Sequence, residues 1–370
     1  MAKAKVYFAT TEVKSLSRKA SLPAKFMRMM DKLGFKRRFN KKTVAVKMHL
    51  GGGLGYTTIR PLFVRLVTDK IREAGGKPFI TDGTFSVWDT AKRGYTEEVL
   101  GAKILPAAGV TEKYFRTVPA EYSHPCGAEL TELELCGNII DADAMVVLSH
   151  FKAHGEASYG GAIKNLAMGC VTRASRAALH RLEIGSFTWD RDKCIHCGRC
   201  IENCPTGSCT ENAEGEISIN VHNCVYCKHC VKSCPTGAIE VDATSYRRLQ
   251  DGLAISAREV VKTFSRGSVV HLNLAMDITP LCDCWGMTTP ALVPDIGIFG
   301  SLSMPAVDKA CLDHVKLKDF IAGSLPAGRK LMGKTGHLFK RVWGTDPYHQ
   351  IRAAEKFGLG KAGYAIEYVE

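Results

Sequence analysis

No apolar run in these 370 residues approaches the roughly 18 that a membrane span needs. The first residues, "MAKAKVYFATTEVKSLSRK", hold no apolar stretch of the length a secretory leader uses. No Walker loop G-x4-G-K-S/T occurs, no G-x-G-x-x-G follows a strand, and no nucleic-acid motif stands out. Acid is scarce where base is dense: from Lys14 to Lys47 there are twelve Lys or Arg against the single Asp31. These absences point to a cytoplasmic chain with reduced thiols and away from nucleotide as ligand. Its fifteen cysteines then read as metal-binding or catalytic and not as disulfides. The formal charge of +13 favours an acidic partner protein or an anionic ligand, with a solvated basic face as the plain alternative.

The apolar patterning is that of an α/β protein with a parallel or mixed sheet and flanking helices. "TVAVKMHL" (43–50) reads as a strand that runs into "GGGLGY". A helix follows over "IRPLFVRLVTDKIREAGG", with Leu62, Val64, Leu66, Val67 and Ile71 apolar and Gly75 and Gly76 as its stop, and then the strand "KPFITDG". The order returns in "DAMVVLSH" (143–150) and, after a helix over "SYRRLQDGLAISAREVVKTF", in "SVVHLNLAMDI" (268–278) and "PDIGIFG" (294–300). "SMPAVDKACLDHV" suits a helix with Ser303 as N-cap and Pro305 in its first turn, and "YAIEYVE" suits an edge strand. The chain thus divides into a basic segment 1–42, a first α/β part 43–187, an insert 188–243, and a second α/β part with a basic tail, 244–370.

The insert holds nine cysteines, in "CIHCGRCIENCP" and "CVYCKHCVKSCP", two copies of C-x2-C-x2-C-x3-C-P, with Cys209 outside the pattern. A cubane needs four converging thiolates, and in the two-cluster arrangement the fourth cysteine of each run serves the other cluster. Cys194, Cys197, Cys200 and Cys234 are therefore assigned to one [4Fe-4S] cluster, and Cys224, Cys227, Cys230 and Cys204 to a second. Paired C-x2-C runs also build zinc sites; two copies of the longer spacing, each followed by proline, favour the clusters. The insert resembles bacterial-type two-cluster ferredoxins, an α+β ferredoxin-like fold.

Of the remaining thiols, Cys311 sits in a helix among apolar neighbours and reads as buried and structural. Cys282 and Cys284 differ. On an extended backbone, residues i and i+2 point to one side, here at the carboxyl end of a strand, the edge where open α/β sheets bind ligands. The pair could hold a third metal or cluster, accept electrons, or attack a substrate as thiolate. Two glycine-rich stretches after strands should reach the same edge. "VKMHLGGGLGY" brings Lys47, His49, Gly51, Gly52 and Gly53, and "SHFKAHGEASYGGAIKNLAMGC" brings Lys152, His154, Gly160, Gly161, Lys164 and Asn165. Glycines admit close backbone approach, and the polar side chains supply donors for an anion. Lys152, His154, Cys282 and Cys284 are the catalytic candidates, and Lys47, His49, Lys164, Asn165 and the five glycines are the anion-binding ones.

Taken together, "VAVKMHLGGG", "SHFKAHGEASYGGAIKNLAMG", "DITPLCDC" and "PDIGIFGSLSMPAVDKACLD" resemble the family described as domain of unknown function 362, iron–sulfur centre proteins, over most of residues 43–315. The resemblance implies that Lys152, His154, Lys164, Asn165 and the Cys282/Cys284 pair belong to a family pattern, typical of anaerobic bacteria and archaea, without assigning them a reaction. The leading expectation is an iron–sulfur oxidoreductase: electrons enter two [4Fe-4S] clusters and pass to a site on the α/β domain that reduces an anionic small molecule or a bound metal centre. Its rivals are a non-catalytic electron carrier or redox adaptor, docked on an acidic donor or acceptor protein, and a maturation factor that hands on a metal or cluster.

Overall fold

The computed structural model describes residues 3–183, 185–221, 223–325 and 329–370. Its centre is an eight-stranded mixed sheet. The strands in chain order are β1 (Ala4–Thr10), β2 (Thr43–Met48), β3 (Lys77–Asp82), β4 (Lys103–Pro106), β5 (Ala144–His150), β6 (Val269–Ala275), β7 (Gly297–Ser301) and β8 (Tyr364–Tyr368). Across the sheet they run β8-β1-β7-β6-β5-β2-β3-β4. Only β7 opposes its neighbours, β1 and β6; every other adjacent pair is parallel.

Both faces of the sheet are covered, so its central strands are apolar throughout and do not alternate with polar residues. Along β5, Val146 and Leu148 face one core, with helices α1 (Leu22–Lys32) and α2 (Pro61–Glu73). Met145 and Val147 face the other, with α3 (Ala162–Gly169), α4 (Arg173–Arg181), α5 (Tyr246–Lys262) and α6 (Met304–His314). The buried stripe of α2 is Phe63, Val64, Val67 and Ile71; Leu62, which counts as apolar in the sequence pattern, is exposed because it lies off that stripe. Ser303 sits at the N-cap of α6, but its hydroxyl donates to the Lys361 carbonyl. As expected for an edge, β8 pairs with β1 alone.

The two basic ends are not appendages. Residues 1–42 supply β1, whose Val6 and Phe8 are buried between β7 and β8, and α1, whose apolar face covers the sheet. Lys25 of α1 is buried and donates to the Thr10 and Glu12 carbonyls, while at the surface Lys5 and Lys32 pair with Glu367 and Lys14 with Glu370. The C-terminal stretch contributes helices Leu338–Trp343 and Pro347–Lys356. Trp343 is buried and donates from Nε1 to the Pro280 carbonyl at 2.7 Å, while Thr345 Oγ1 donates to the Gly155 carbonyl at 3.0 Å. These bonds brace from below the loops that follow β5 and β6.

The cysteine-rich segment closes on itself. Phe187–Trp189 pairs antiparallel with Ile239–Val241, and Cys209–Glu211 with Ile217–Ile219, around a small core of its own. Each C-x2-C-x2-C loop ends in a short helix, Arg199–Glu202 or His229–Ser233. The repeated sequence gives a repeated backbone. His196 and Gly198 in one copy and Tyr226 and Lys228 in the other all take positive φ, which coils each loop tightly around its thiols.

One buried carboxylate ties the second face together. Asp308 of α6 accepts the Ala162 and Ile163 N–H groups at the start of α3 (2.7 and 3.0 Å), the Asn273 amide (2.7 Å) and the Tyr159 hydroxyl (3.2 Å). A Cβ on Gly161 would lie 2.7 Å from its Oδ1, so only glycine lets the carboxylate reach this helix end. Asp308→Ala leaves four buried donors unmet, each costing about 1–3 kcal/mol. The variant is expected to lose at least about 3 kcal/mol in denaturant unfolding, and Asp308→Asn, which keeps one acceptor, less.

Candidate functional site

The carboxyl ends of β2 and β5 lie side by side where the connections diverge, β2 leading to β3 on one side and β5 to β6 on the other, the usual position of a ligand site in such sheets. A cavity of about 580 Å³ opens there. It is lined by Lys47, His49, Gly51, Gly52, Lys152, His154, Gly160, Gly161, Lys164, Asn165, Cys282 and Cys284, with Asp82, Phe85, Arg176, His180, Trp285 and Asn220 among the others. Gly53 lies apart: it takes φ +53° and packs on the turn after the cysteine pair, where a Cβ would stand 2.5 Å from the Gly286 carbonyl oxygen. Leu54 N–H donates to that same oxygen at 2.6 Å, so the glycine loop clamps the cysteine turn.

Cys282 has extended dihedrals, but Cys284 does not lie on extended backbone. Residues 283–285 form one 3₁₀ turn capped by Cys282, which brings the two sulfurs to one side while turning Asp283 back into the protein. Asp283 is buried; its carboxylate takes Lys152 Nζ at 2.9 Å and His150 Nδ1 at 2.9 Å. A second buried pair stands beside it. Lys47 Nζ lies 2.9 Å from Asp82 Oδ1, and Asp82 Oδ2 takes His49 Nδ1 at 2.9 Å and the Leu50 N–H at 3.0 Å. Asn165 joins the strands: its Oδ1 accepts Lys47 Nζ at 2.6 Å and its amide donates to the Leu148 carbonyl at 3.1 Å and to Ser149 Oγ at 3.0 Å. Burial alone would raise the Asp82 carboxyl, but Lys47 and His49 outweigh it and hold the group well below the ordinary carboxylate range. Asp283 is held low in the same way, burial being overcome by His150 and Lys152.

Lys47 and Lys152 are therefore committed to carboxylates, and Arg176 pairs with Glu112 at 2.9 Å. Lys164 has a different partner: its Nζ stands 3.8 Å from Cys282 Sγ. Cys282 is held well below the ordinary thiol range, first because the Cys284 S–H donates to it and then, against burial, because Lys164, Lys152 and His154 favour the thiolate. Cys284, as donor to that thiolate, is pushed well above the range. Burial, with Lys164 adding to it, pushes His154 down to about 3, so its imidazole is neutral. Its Nδ1 accepts the Ala157 N–H at 3.2 Å, which places the ring proton on Nε2, and Nε2 stands 3.7 Å from Cys284 Sγ.

The two sulfurs and a His154 nitrogen lie within 4.8 Å of one another, close enough to surround an ion. The protonated Nε2 offers no lone pair, however, and two ammonium groups face the same space. The arrangement suits a thiolate, Cys282, flanked by a cation and by two proton donors, Cys284 and His154. Asp82 and Asp283, which hold it together, are not singled out by any spacing. Asp82 does end a strand before a glycine, and Asp283 lies between the two cysteines, positions that mark both for attention once the edge is identified.

Eight of the other cysteines gather in two small closed cavities. One is lined by Cys194, Cys197, Cys200 and Cys234, the other by Cys204, Cys224, Cys227 and Cys230. Backbone N–H groups point at the sulfurs, Ala238 to Cys234 at 3.3 Å and Tyr226 to Cys224 at 3.4 Å. Burial opposes ionisation of Cys204 and Cys234, but the surrounding N–H and threonine hydroxyl donors lower both thiols nonetheless. Convergent, donor-ringed thiols of this kind fit a thiolate-bound metal cluster. Cys209 is buried beside Cys200 and outside both quartets, and Cys311 is buried, with the Asn273 amide 3.6 Å from its sulfur.

A family model described as "Domain of unknown function (DUF362)" matches residues 44–313. No curated protein matches the chain. Among solved structures, lactate racemase apoprotein from Thermoanaerobacterium thermosaccharolyticum aligns at 13% identity and a TM-score of 0.33, over 74% of this chain and 51% of that one. A Thermotoga maritima protein from a structural genomics consortium aligns at 12% identity and a TM-score of 0.37, over 71% of this chain and 52% of that one. The chain spans about half the length of each. Likeness this loose carries nothing over from either protein. No helix among the described residues is long and apolar enough to cross a membrane.

Two outcomes are expected from the electrostatics. In acid, the unfolded chain protonates Asp82 near its ordinary value of 3.8 while the folded carboxyl stays ionised. The unfolded state then binds more protons, so this contribution is present above about pH 4 and is lost as pH falls. Asp82→Asn should flatten the dependence of unfolding free energy on pH between about pH 4 and pH 2 relative to wild type. Iodoacetamide should alkylate Cys282 at nearly the same rate from pH 8 to about pH 6, where an ordinary thiol loses about tenfold per unit. Lys164→Gln should slow that reaction at about pH 6 by roughly tenfold, read by mass spectrometry of the Cys282 peptide.

Proposed function

The chain belongs to the family described as domain of unknown function 362, and on that premise we propose that it is an iron–sulfur oxidoreductase whose electrons serve the thiolate pocket at the sheet edge. Cys194, Cys197, Cys200 and Cys234 would hold one [4Fe-4S] cluster and Cys204, Cys224, Cys227 and Cys230 the other, in the manner of a two-cluster ferredoxin. Bound there, the clusters supply one-electron transfer. The observation that carries the reading is the sharing of residues between insert and pocket. Asn220, which lines the pocket, accepts the Cys224 N–H at 3.1 Å. The Cys224 quartet is thus the one that adjoins the pocket, and the Cys194 quartet, with Cys197 and Ile195 exposed, faces outward.

Within the pocket the roles follow from charge. Lys164 and the Cys282 thiolate form a polar pair against which a small substrate with an anionic group can dock by its negative end on the ammonium. His154 Nε2–H and Cys284 S–H stand ready to donate a proton as negative charge builds on the substrate. Phe85, Met168 and Trp285 add apolar surface to the cavity lining. Lys152, with Asp283, fixes the cysteine turn. The size and chemistry of this cavity favour turnover of a small molecule over a purely electron-carrying or metal-delivering role.

Purified without oxygen, the protein should contain about eight irons and eight sulfides per chain. Cys197→Ser and Cys227→Ser should each lower iron content, while Cys311→Ser and the Cys282→Ser/Cys284→Ser double variant keep it. Equal iron in wild type and Cys197→Ser removes the reading, and metal lost only from the Cys282/Cys284 variant moves the inorganic site to the pocket itself.

A further inference from the structure

Behind the pocket wall lies a cluster that the mechanism above leaves unused. Glu156 follows His154 by two residues and is wholly buried; Glu183, just beyond α4, is 4% exposed. A carboxylate oxygen of each and a ring nitrogen of His180 lie within 4.8 Å of one another. His180 Nδ1 stands 3.4 Å from Glu156 Oε2, and the Tyr226 hydroxyl donates to Glu183 Oε1 at 3.0 Å. His154 from the strand after β5 and Lys164 from α3 also face Glu156, and Arg248 from α5 faces Glu183.

Two buried carboxyl oxygens this close repel when both are ionised, and a proton held between them removes the repulsion, because two carboxylates supply only acceptors. Buried carboxyl groups sharing one site do not both ionise readily, and one of them holds its proton to higher pH than a free carboxyl does. Burial first, and the charge of Glu156 second, push Glu183 well above the ordinary carboxylate range. Position gives the pair its use. Tyr226, on one side, belongs to the second cysteine loop; His180, on the other, lines the pocket, with its side chain 39% exposed. The acids therefore stand between the adjoining cysteine quartet and the pocket.

We propose that Glu156 and Glu183 store one shared proton behind the pocket and exchange it with the pocket through His180. The transfer moves one proton and no electron. The proton passes from the acid pair at Glu156 Oε2 to His180 Nδ1, a proton leaves the ring at its other nitrogen into the cavity, and both carboxylates remain ionised. Their joint charge then draws a proton back along the same route. The use of this proton rests on the pocket being the reaction site; the pair and its route do not, and they are measured without substrate or bound metal.

Infrared spectra of the intact protein at neutral pH should contain the carbonyl stretch of a protonated carboxylic acid. The band should shift on transfer to D2O, disappear in Glu183→Gln, where Lys164 and His180 stand beside Glu156 and let it ionise, and move in frequency in Glu156→Gln, where burial still favours the acid form of Glu183. After rapid mixing with D2O, His180→Phe should keep the band and slow its shift by about tenfold. A band that neither glutamine variant removes, or one divalent cation per chain released by EDTA with loss of the carboxylate signal, overturns the shared proton. An unchanged exchange rate in His180→Phe overturns the route. Iron content and Cys282 alkylation, followed in the same variants, report separately on the proposed function.

Discussion

Two ammonium groups buried at the edge of a sheet set the terms for everything around them. Lys47 is wholly buried and Lys152 is 4% exposed. An ammonium removed from water costs several kcal/mol unless a carboxylate and further hydrogen bonds meet it. Asp82 and Asp283 answer that demand from distant parts of the chain, and in doing so they draw the end of β3 and the cysteine turn onto the ends of β2 and β5. Removing one partner would strand the other charge, so the pairs position the site more than they stabilise the fold. Gly169 belongs to the same constraint: a Cβ there would stand 2.2 Å from Lys47 Nζ, leaving the lysine no room.

Once those charges are matched, the pocket has a simpler electrostatic character than its many cations suggest. Lys47, Lys152 and Arg176 are each neutralised by a carboxylate, which leaves Lys164 and the Cys282 thiolate as the pair exposed to a ligand. The lone Lys–thiolate contact, with neutral His154 beside it, gives direction to the cavity: negative groups are drawn to one wall and protons come from the next.

The central strands and covering helices were legible because burial on both faces leaves long apolar runs, as in "DAMVVLSH" and "SVVHLNLAMDI". β1 was not, because seven residues of mixed pattern were overshadowed by the charge that follows, and the C-terminal helices were masked by basic residues on their outer faces. The edge residues from Lys47 to Cys284 could be named because glycine-rich loops after parallel strands must meet at one edge. Their partners could not be: Asp82, Asp283 and Asp308 act through pairings across 32 to 149 residues of chain, which no local spacing encodes. The same holds for the cysteine turn, where a 3₁₀ bend replaces extended backbone because Asp283 has to reach Lys152.

The crossed membership of the two cysteine cavities bears on the order of events during synthesis. Cys194, Cys197 and Cys200 leave the ribosome well before Cys234, and Cys204 well before Cys224, yet each cavity needs members from both repeats. Neither half of the insert can complete a chamber alone. The strand Ile239–Val241, which pairs with Phe187–Trp189 to shut the insert, is also the last part of it to be made. Until that strand emerges the insert cannot close, so both chambers take shape together, at a single late moment in the birth of the chain.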